Sequence, residues 1–123
     1  MKKGVLLVNL GTPDAPQAPE VRRYLGQFLA DQRVIDTPKI IWWPILHGII
    51  LRFRPRHSAA LYRRIWTDQG SPLAIYTAQQ AKQLQVLMPD TMVQSAMCYG
   101  QPAIDTALTA FQKQGVREIT VIP

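Results

Sequence analysis

The residues best suited to chemistry lie between Thr37 and Trp66, where basic, aromatic and aliphatic side chains occur together without a single acidic residue. The 6 basic residues of this segment account for the whole formal net charge of +6, so the basicity is local. All 3 tryptophans and an apolar run from Ile40 to Leu51 lie there as well. Such a combination suits a flat apolar anion, a membrane surface or nucleic acid.

The three ligands differ in the charge pattern that they need. Nucleic acid requires basic residues spread along a track, whereas here a nearly uncharged apolar run precedes a short arginine cluster, so we expect no nucleic-acid partner. A structural alternative is a helical hairpin whose apolar side is core and whose arginine side is solvated. An amphiphilic ligand and a membrane surface stay open.

Metal chemistry finds little support among the residues of this chain. His47 and His57 are ten residues apart with no acidic partner between them, which is not a metal-ligand spacing. The single cysteine, Cys98, excludes an internal disulfide and a site built from several thiolates, and we expect it to be a small buried hydrophobe. The sequence therefore predicts no resident metal, no cofactor and a reducing compartment.

The elements that would position these side chains follow from hydrophobic periodicity. An unbroken aliphatic run from Val5 to Leu10 predicts a central strand, and apolar residues at helical spacing follow, with Arg22 and Arg23 on the opposite, solvent face. The predicted elements are strand 5–10, helix 21–29, a helix ending at 88, strand 92–97, a helix from 102 to 111 and strand 118–122. Their alternation predicts an α/β fold of one domain, a doubly wound parallel sheet with flanking helices.

Two helix starts carry specific signals. Thr77 with Gln80 forms a predicted capping box, and Pro102 occupies a predicted first helical position, with Gly115 as the stop. Ligands are expected beyond the carboxyl ends of the strands. Because the last predicted strand ends at Pro123 without a covering helix, we expect the natural protein to be longer.

Neither apolar run predicts a membrane span or a leader. The strand at 5–10 is too short for a signal peptide and has no cleavage site. The run from Ile40 to Leu51 is shorter than the roughly 20 residues that cross a bilayer, and it contains Pro44 and His47. We therefore expect a cytoplasmic protein, with a possible peripheral membrane contact through residues 37–66.

Several motifs, in order along the chain, give it a specific resemblance. The motifs are Gly4-Val5-Leu6-Leu7-Val8-Asn9-Leu10-Gly11-Thr12-Pro13, Val21-Arg22-Arg23-Tyr24-Leu25, Phe28-Leu29 with Asp31, Arg33-Val34-Ile35, Arg54-Pro55, Ser58-Ala59, Tyr62 with Ile65-Trp66, Gly70-Ser71-Pro72-Leu73, Thr77 with Gln80, and Ala96-Met97 with Tyr99-Gly100. In these motifs the chain resembles the N-terminal half of ferrochelatases, the lyases that insert Fe(II) into protoporphyrin IX to form protohaem in haem synthesis. The resemblance covers essentially the whole sequence.

The resemblance implies a two-domain chelatase-type enzyme, of which this chain is an incomplete N-terminal domain with the C-terminal domain absent. It implies a porphyrin lip formed by residues 37–66. The porphyrin contacts that it implies are Arg54, Tyr62, Ser71, Leu10 and Tyr99. The catalytic histidine, and a later histidine with glutamate, are implied beyond Pro123, so the chain alone is expected to be inactive. Many members have arginine where this chain has Cys98, so that arginine's role does not carry over.

A porphyrin also suits the residues physically. It is a broad apolar disc with two propionates, so it needs apolar walls and cationic or hydroxyl donors at one edge. Fe(II) is then a substrate and not a resident cofactor. The alternatives are a non-catalytic domain that binds a membrane surface or an acidic ligand, and a related chelatase for another metal.

Overall fold

A computed structural model of the chain describes residues 2–123, and their contacts separate into two compact units. The sheet unit combines residues 2–12 with 72–123, and the helical unit comprises residues 13–71. In chain order the elements are β1 (Lys2–Gly11), α1 (Ala18–Ala30), α2 (Lys39–Ile45), a π-helical turn (Leu46–Ile50), α3 (Leu51–Ile65), α4 (Pro72–Leu87), β2 (Thr91–Tyr99), α5 (Ile104–Lys113) and β3 (Val116–Ile122).

The sheet unit is built on a three-stranded parallel sheet with the strand order β2-β1-β3. In the register of the sheet, Lys3 of β1 lies opposite Thr91 of β2 on one side and Glu118 of β3 on the other. The aliphatic run of β1 suits this position because a central parallel strand is covered on both faces. The predicted α/β class and the central position of the first strand are confirmed.

Helices of the sheet unit cover both faces of this sheet, as in a doubly wound fold. On one face Leu6 and Ala96 form a buried cluster with Ala107 and Phe111 of α5. On the other face α4 lies against β1 and β2. A Cβ atom at Gly4 would stand 2.6 Å from Cε1 of the Phe111 ring, so only glycine lets α5 approach β1 this closely.

The helical unit packs α1 against α3. The face of α1 predicted from the helical spacing is the face that is buried, and Tyr24 stacks on Phe28 with 6.1 Å between ring centroids. The buried residues of this unit's helices are Val21, Tyr24, Leu25 and Leu29 of α1, Leu46 of the π-helical turn, and Leu51, Pro55 and Ala59 of α3. The predicted helix over 21–29 is thereby confirmed.

The predicted start of α4 is wrong. The helix begins at Pro72, so Thr77 lies inside it and forms no capping box with Gln80. The Thr77 hydroxyl instead donates to the carbonyl of Leu73 at 2.7 Å, the usual bond of a threonine within a helix. Pro72 is a stronger start signal than the pair of Thr77 and Gln80, because the fixed φ angle of proline already suits the first turn of a helix.

The start of α5 also differs from the prediction, whereas its end does not. The helix begins at Ile104 after an extended Ala103, so Pro102 precedes the helix and is not its first residue. Gly115 follows the helix with φ +75°, a left-handed conformation that glycine adopts without strain. The predicted stop is therefore confirmed.

Candidate functional site

Two of the predicted site residues lie together at the carboxyl edge of the sheet. Tyr99 pairs with Gly11 across β1 and β2, and Leu10 is the residue before Gly11. Leu10 is 49% exposed and Tyr99 is half-buried, so a ligand can reach this edge. Their proximity follows from the parallel arrangement, because parallel strands end at the same edge of a sheet.

Asn9 holds this edge in place through both ends of its amide. Its Oδ1 accepts a hydrogen bond from the backbone N–H of Leu10 at 2.8 Å, and its Nδ2 donates to the Thr77 hydroxyl at 3.2 Å. Thr77 is only 3% exposed, so this bond helps to satisfy a buried hydroxyl and ties β1 to α4. Sequence reasoning missed this role because it treated Thr77 as a helix cap.

A glycine permits the close approach of the two loops that follow β1 and β2. Gly100 has φ +90°, and a Cβ atom there would lie 2.8 Å from the carbonyl oxygen of Thr12. Both the backbone angle and the available space therefore demand glycine at this position. The edge that carries Leu10 and Tyr99 depends on this contact.

One cavity at this edge of the sheet unit is too small to enclose a large ligand. A cavity of about 190 Å³ at the ends of β1 and β3 is lined by polar Asn9, Thr77 and Gln80, and its volume is below the roughly 300–1,000 Å³ of typical ligand pockets. A cavity of about 450 Å³ lies at the opposite, amino edge, against Lys2, Lys3 and neighbouring residues. Ligands of such folds bind at the carboxyl edge, so the open surface around Leu10 stays the predicted site.

In the helical unit, Arg54 and Tyr62 lie on one helix, α3. Eight residues of an α-helix correspond to roughly 12 Å along the axis and about 80° around it, so the two side chains point to broadly similar sides. Arg54 is exposed, whereas half-buried Tyr62 packs edge-to-face with Trp66 at 6.3 Å between centroids. Burial raises the pKa of the Tyr62 phenol above its ordinary value, so at neutral pH Tyr62 is a hydrogen-bond donor.

Ser71 stands apart from these two residues along the chain. It directly precedes Pro72, the first residue of α4, and it is only 6% exposed. A Gly-Ser-Pro sequence is itself typical of a turn that leads into a helix. The contact between Ser71 and a porphyrin stays a prediction.

The segment 37–66 keeps a large part of its apolar surface in contact with water. Five apolar residues before Arg54 are more than half exposed, and we call them the apolar band: Ile40 (90% exposed), Ile41 (56%), Trp43 (62%), Ile49 (57%) and Phe53 (65%). α2, the π-helical turn and α3 follow one another without a loop, so the segment is not the helical hairpin of the structural alternative. Burial in the core of the helical unit accounts for Leu46 and Leu51 but not for the band. Cationic side chains border it, since the Arg52 guanidinium lies 5.6 Å from the centroid of the Phe53 ring.

Side-chain bonds to backbone carbonyls join this segment to α1. The Trp42 Nε1–H donates to the carbonyl of Leu29 at 2.7 Å, one of the last carbonyls of α1, which lack helical partners. The Arg22 Nε–H donates to the carbonyl of Leu51 at 2.9 Å. Arg22 is exposed as predicted, but this bond was not foreseen, and the signal that points to it is the proline four residues after Leu51.

Cys98 is exposed, so the prediction of a buried cysteine is wrong. It lies at the carboxyl end of β2, an edge strand, where the sheet is least covered. Within residues 2–123, no three side chains of His, Cys, Asp or Glu stand close enough together to hold a metal ion. No helix in this range has the length and apolarity needed to cross a bilayer.

Comparison with known proteins gives one consistent family. The ferrochelatase family profile matches residues 2–123. The chain is 52% identical over 122 residues to the ferrochelatase of Hamiltonella defensa, covering 99% of this chain and 38% of that protein. It is 55% identical to the coproporphyrin III ferrochelatase of Lactococcus lactis, of which it covers 39%, and 52% identical to the ferrochelatase of Neisseria gonorrhoeae, of which it covers 36%. The chain thus spans less than two fifths of the length of these relatives.

Proposed function

This chain belongs to the ferrochelatase family, and we propose that it supplies the porphyrin lip and part of the cleft of an enzyme that inserts Fe(II) into protoporphyrin IX. The observation that carries the proposal is the helical unit, which combines the exposed apolar band with Arg54 and Tyr62 on α3. A porphyrin offers an apolar disc with carboxylates at one edge, so it complements both features.

Each site residue has a distinct task in this proposal. Arg54 binds a propionate by a charge-assisted hydrogen bond, and Tyr62 donates a second hydrogen bond from its neutral phenol. Leu10 and Tyr99 pack against the macrocycle, and Ser71 offers a hydroxyl. These residues bind and orient the porphyrin, and none of them is proposed to move a proton.

Insertion exchanges two pyrrole protons for one Fe(II), so the complete enzyme needs a proton acceptor and groups that deliver the metal. Neutral histidine and carboxylate suit both tasks near neutral pH. We propose that these groups lie in the part of the enzyme outside residues 1–123. The chain alone then binds porphyrin but forms no haem.

The experiment is a titration of protoporphyrin IX, in non-ionic detergent, into the chain, followed through quenching of tryptophan fluorescence. Arg54→Ala is expected to raise the Kd about tenfold, the usual effect of losing one hydrogen bond to a charged group. The matched control is Arg56→Ala, because Arg56 is also exposed but points about 200° away around the helix. Equal losses in the two variants would contradict a specific propionate contact.

Two further measurements define the reaction and the substrate. Anaerobic addition of Fe(II) to the porphyrin complex is expected to give no haem above a protein-free blank, and haem formed at an enzymatic rate would show that the catalytic groups lie within residues 1–123. Coproporphyrin III, which carries four propionates, is the competing substrate because one relative bears that name. Tighter binding of coproporphyrin III than of protoporphyrin IX would reverse our substrate assignment.

The apolar band also favours a second role, a peripheral contact with a membrane. Ile40 and Phe53 are strongly exposed, and the segment that contains them has 6 basic residues and no acidic one. Apolar side chains beside cations are typical of segments that lie in the interface of an anionic membrane. We propose that residues 37–66 rest on such a surface at the cytoplasmic side, where a poorly soluble porphyrin would be delivered.

A further inference from the structure

At Leu51 the regular pattern of backbone hydrogen bonds in the helix is interrupted. It follows the π-helical turn, and its N–H bonds to the carbonyl of Leu46, five residues earlier. Its own carbonyl should accept the N–H of residue 55 in α3, but Pro55 has no N–H. Neither backbone group of Leu51 therefore has its regular α-helical bond.

Arg22 supplies the partner that Pro55 lacks. From α1, its Nε–H donates to the Leu51 carbonyl at 2.9 Å. Leu51 is 8% exposed and Pro55 is among the fully buried residues, so a carbonyl without a partner would be costly at this place. The neighbouring Arg23 makes no such bond and faces Asp14 at 3.7 Å, with both side chains largely exposed.

The interruption at Leu51 lies three residues before Arg54. Leu51 to Pro55 form the first turn of α3, and Arg54 belongs to that turn. Because the Leu51 carbonyl accepts no hydrogen bond from residue 55, this first turn can tilt unless a group outside the helix binds that carbonyl. The side chain of Arg22 holds it from α1.

We propose that Arg22 is a positioning residue, whose hydrogen bond to the Leu51 carbonyl fixes the first turn of α3 and thereby aims Arg54 at a porphyrin propionate. The inference rests on the proposed function, since it assigns Arg22 a role in the same porphyrin contact. It adds a residue that does not touch the porphyrin. It also explains why a buried proline is tolerated in α3, because its missing N–H is replaced by the guanidinium.

The test compares protoporphyrin IX with its dimethyl ester, which keeps the apolar disc but has no carboxylates. Arg22→Met keeps a side chain of similar length and removes the donor. It is expected to raise the Kd for protoporphyrin IX about fivefold and to change the Kd for the ester by less than about twofold. Arg22→Lys, which can still donate, should restore most of the affinity, and Arg23→Met is the matched control that should change neither Kd. Equal losses for the acid and the ester would overturn the proposal, because they would indicate a merely structural role.

Two double variants locate the effect. In an Arg54→Met background, Arg22→Met should cost no further affinity, and an additive loss would overturn the proposal. In a Pro55→Ala background the helix gains an N–H for the Leu51 carbonyl, so the effect of Arg22→Met should fall below about twofold. If Arg22→Met alone does not fold, recovery of folding in that background supports the missing-donor argument, and continued failure overturns it.

The controls also separate this proposal from the proposed function. If the unsubstituted chain binds neither porphyrin, the proposed function fails and this inference fails with it. If the chain binds protoporphyrin IX and Arg54→Ala weakens the complex while Arg22→Met does not, the proposed function stands and the role of Arg22 alone is refuted.

Discussion

Tyr62 combines a candidate ligand contact with a perturbed ionisation. Burial raises the pKa of its phenol above the ordinary value of 10.0, since the charged phenolate is poorly solvated in the helical unit. The neutral phenol is the form that the folded state favours. Its contribution to the free energy of unfolding is therefore complete below the ordinary pKa and is lost as the pH rises toward the raised pKa.

This sign gives a prediction for Tyr62→Phe. The unsubstituted chain should lose stability from about pH 10 upward, and Tyr62→Phe should lack that part of the loss. Urea unfolding between about pH 8 and 11 measures it, with absorbance at about 295 nm following phenol ionisation. Tyr76→Phe is the control because Tyr76 is 63% exposed. An unchanged alkaline loss in Tyr62→Phe would contradict the burial of this phenol.

At the scale of elements, one side chain joins the end of α4 to the start of β2. Gln85 Nε2 donates to the carbonyls of Met88 at 3.0 Å and Thr91 at 2.7 Å. Its Oε1 accepts the backbone N–H of Val93 at 2.9 Å. The amide thus satisfies three backbone groups around one turn and helps to set where β2 begins.

Gln85→Leu should therefore destabilise the chain although leucine is a good helix former. We expect a loss of about 2 kcal/mol in the free energy of unfolding, since two partly buried backbone groups and one exposed carbonyl lose their partner. Gln83→Leu provides the matched control, because Gln83 is exposed on the same helix. Chemical denaturation measures both variants, and similar losses for the two would show that the Gln85 bonds do not matter.

The elements that could be predicted are those whose signals are local. β1 follows from an unbroken aliphatic run, and α1 follows from apolar residues at helical spacing, because each pattern has one structural solution. The start of α4 could not be chosen by pattern alone, since Pro72 and the pair of Thr77 and Gln80 are both valid start signals. The contact of Thr77 with Asn9 of β1 favours a place inside the helix, and no local pattern contains that contact because Asn9 is distant in sequence.

The candidate site also has features that could be predicted from the sequence and features that could not. The meeting of Leu10 and Tyr99 could be predicted, because parallel topology alone brings strand ends together. The bond between Arg22 and Leu51 could not, because it depends on the packing of α1 against α3. Periodicity places Arg22 correctly on the exposed face, but it cannot tell which distant carbonyl lacks a donor. The exposure of Cys98 was missed for a similar reason, since it depends on the strand order.

At the scale of the whole molecule, the net positive charge and the apolar band lie in the same segment, residues 37–66. The rest of the chain has no net formal charge, so residues 37–66 are the segment with a net attraction to an anionic surface. Attraction of this kind weakens with salt, whereas apolar insertion does not. A membrane contact through the apolar band should therefore weaken as the salt concentration rises, and it should also weaken when an apolar side chain of the band is removed.

We expect the chain to sediment with vesicles of phosphatidylglycerol and phosphatidylcholine, and to bind less as salt rises. Ile40→Ser should reduce binding about tenfold, because it removes an apolar side chain expected to enter the interface. Leu87→Ser is the matched control, since Leu87 is 78% exposed but lies on α4. Binding that is equal on purely zwitterionic vesicles, or equally weakened by both substitutions, would contradict the proposed surface.

The position of β1 in the sheet has a consequence for the order in which the molecule can form during synthesis. Within residues 2–123, β1 leaves the ribosome before every other element, but its neighbours in the sheet are the two later strands, β2 and β3. The helical unit, by contrast, is one continuous stretch of chain and can close while translation continues. The most apolar strand must therefore wait, unpaired, while a neighbouring stretch of the same polypeptide has already folded.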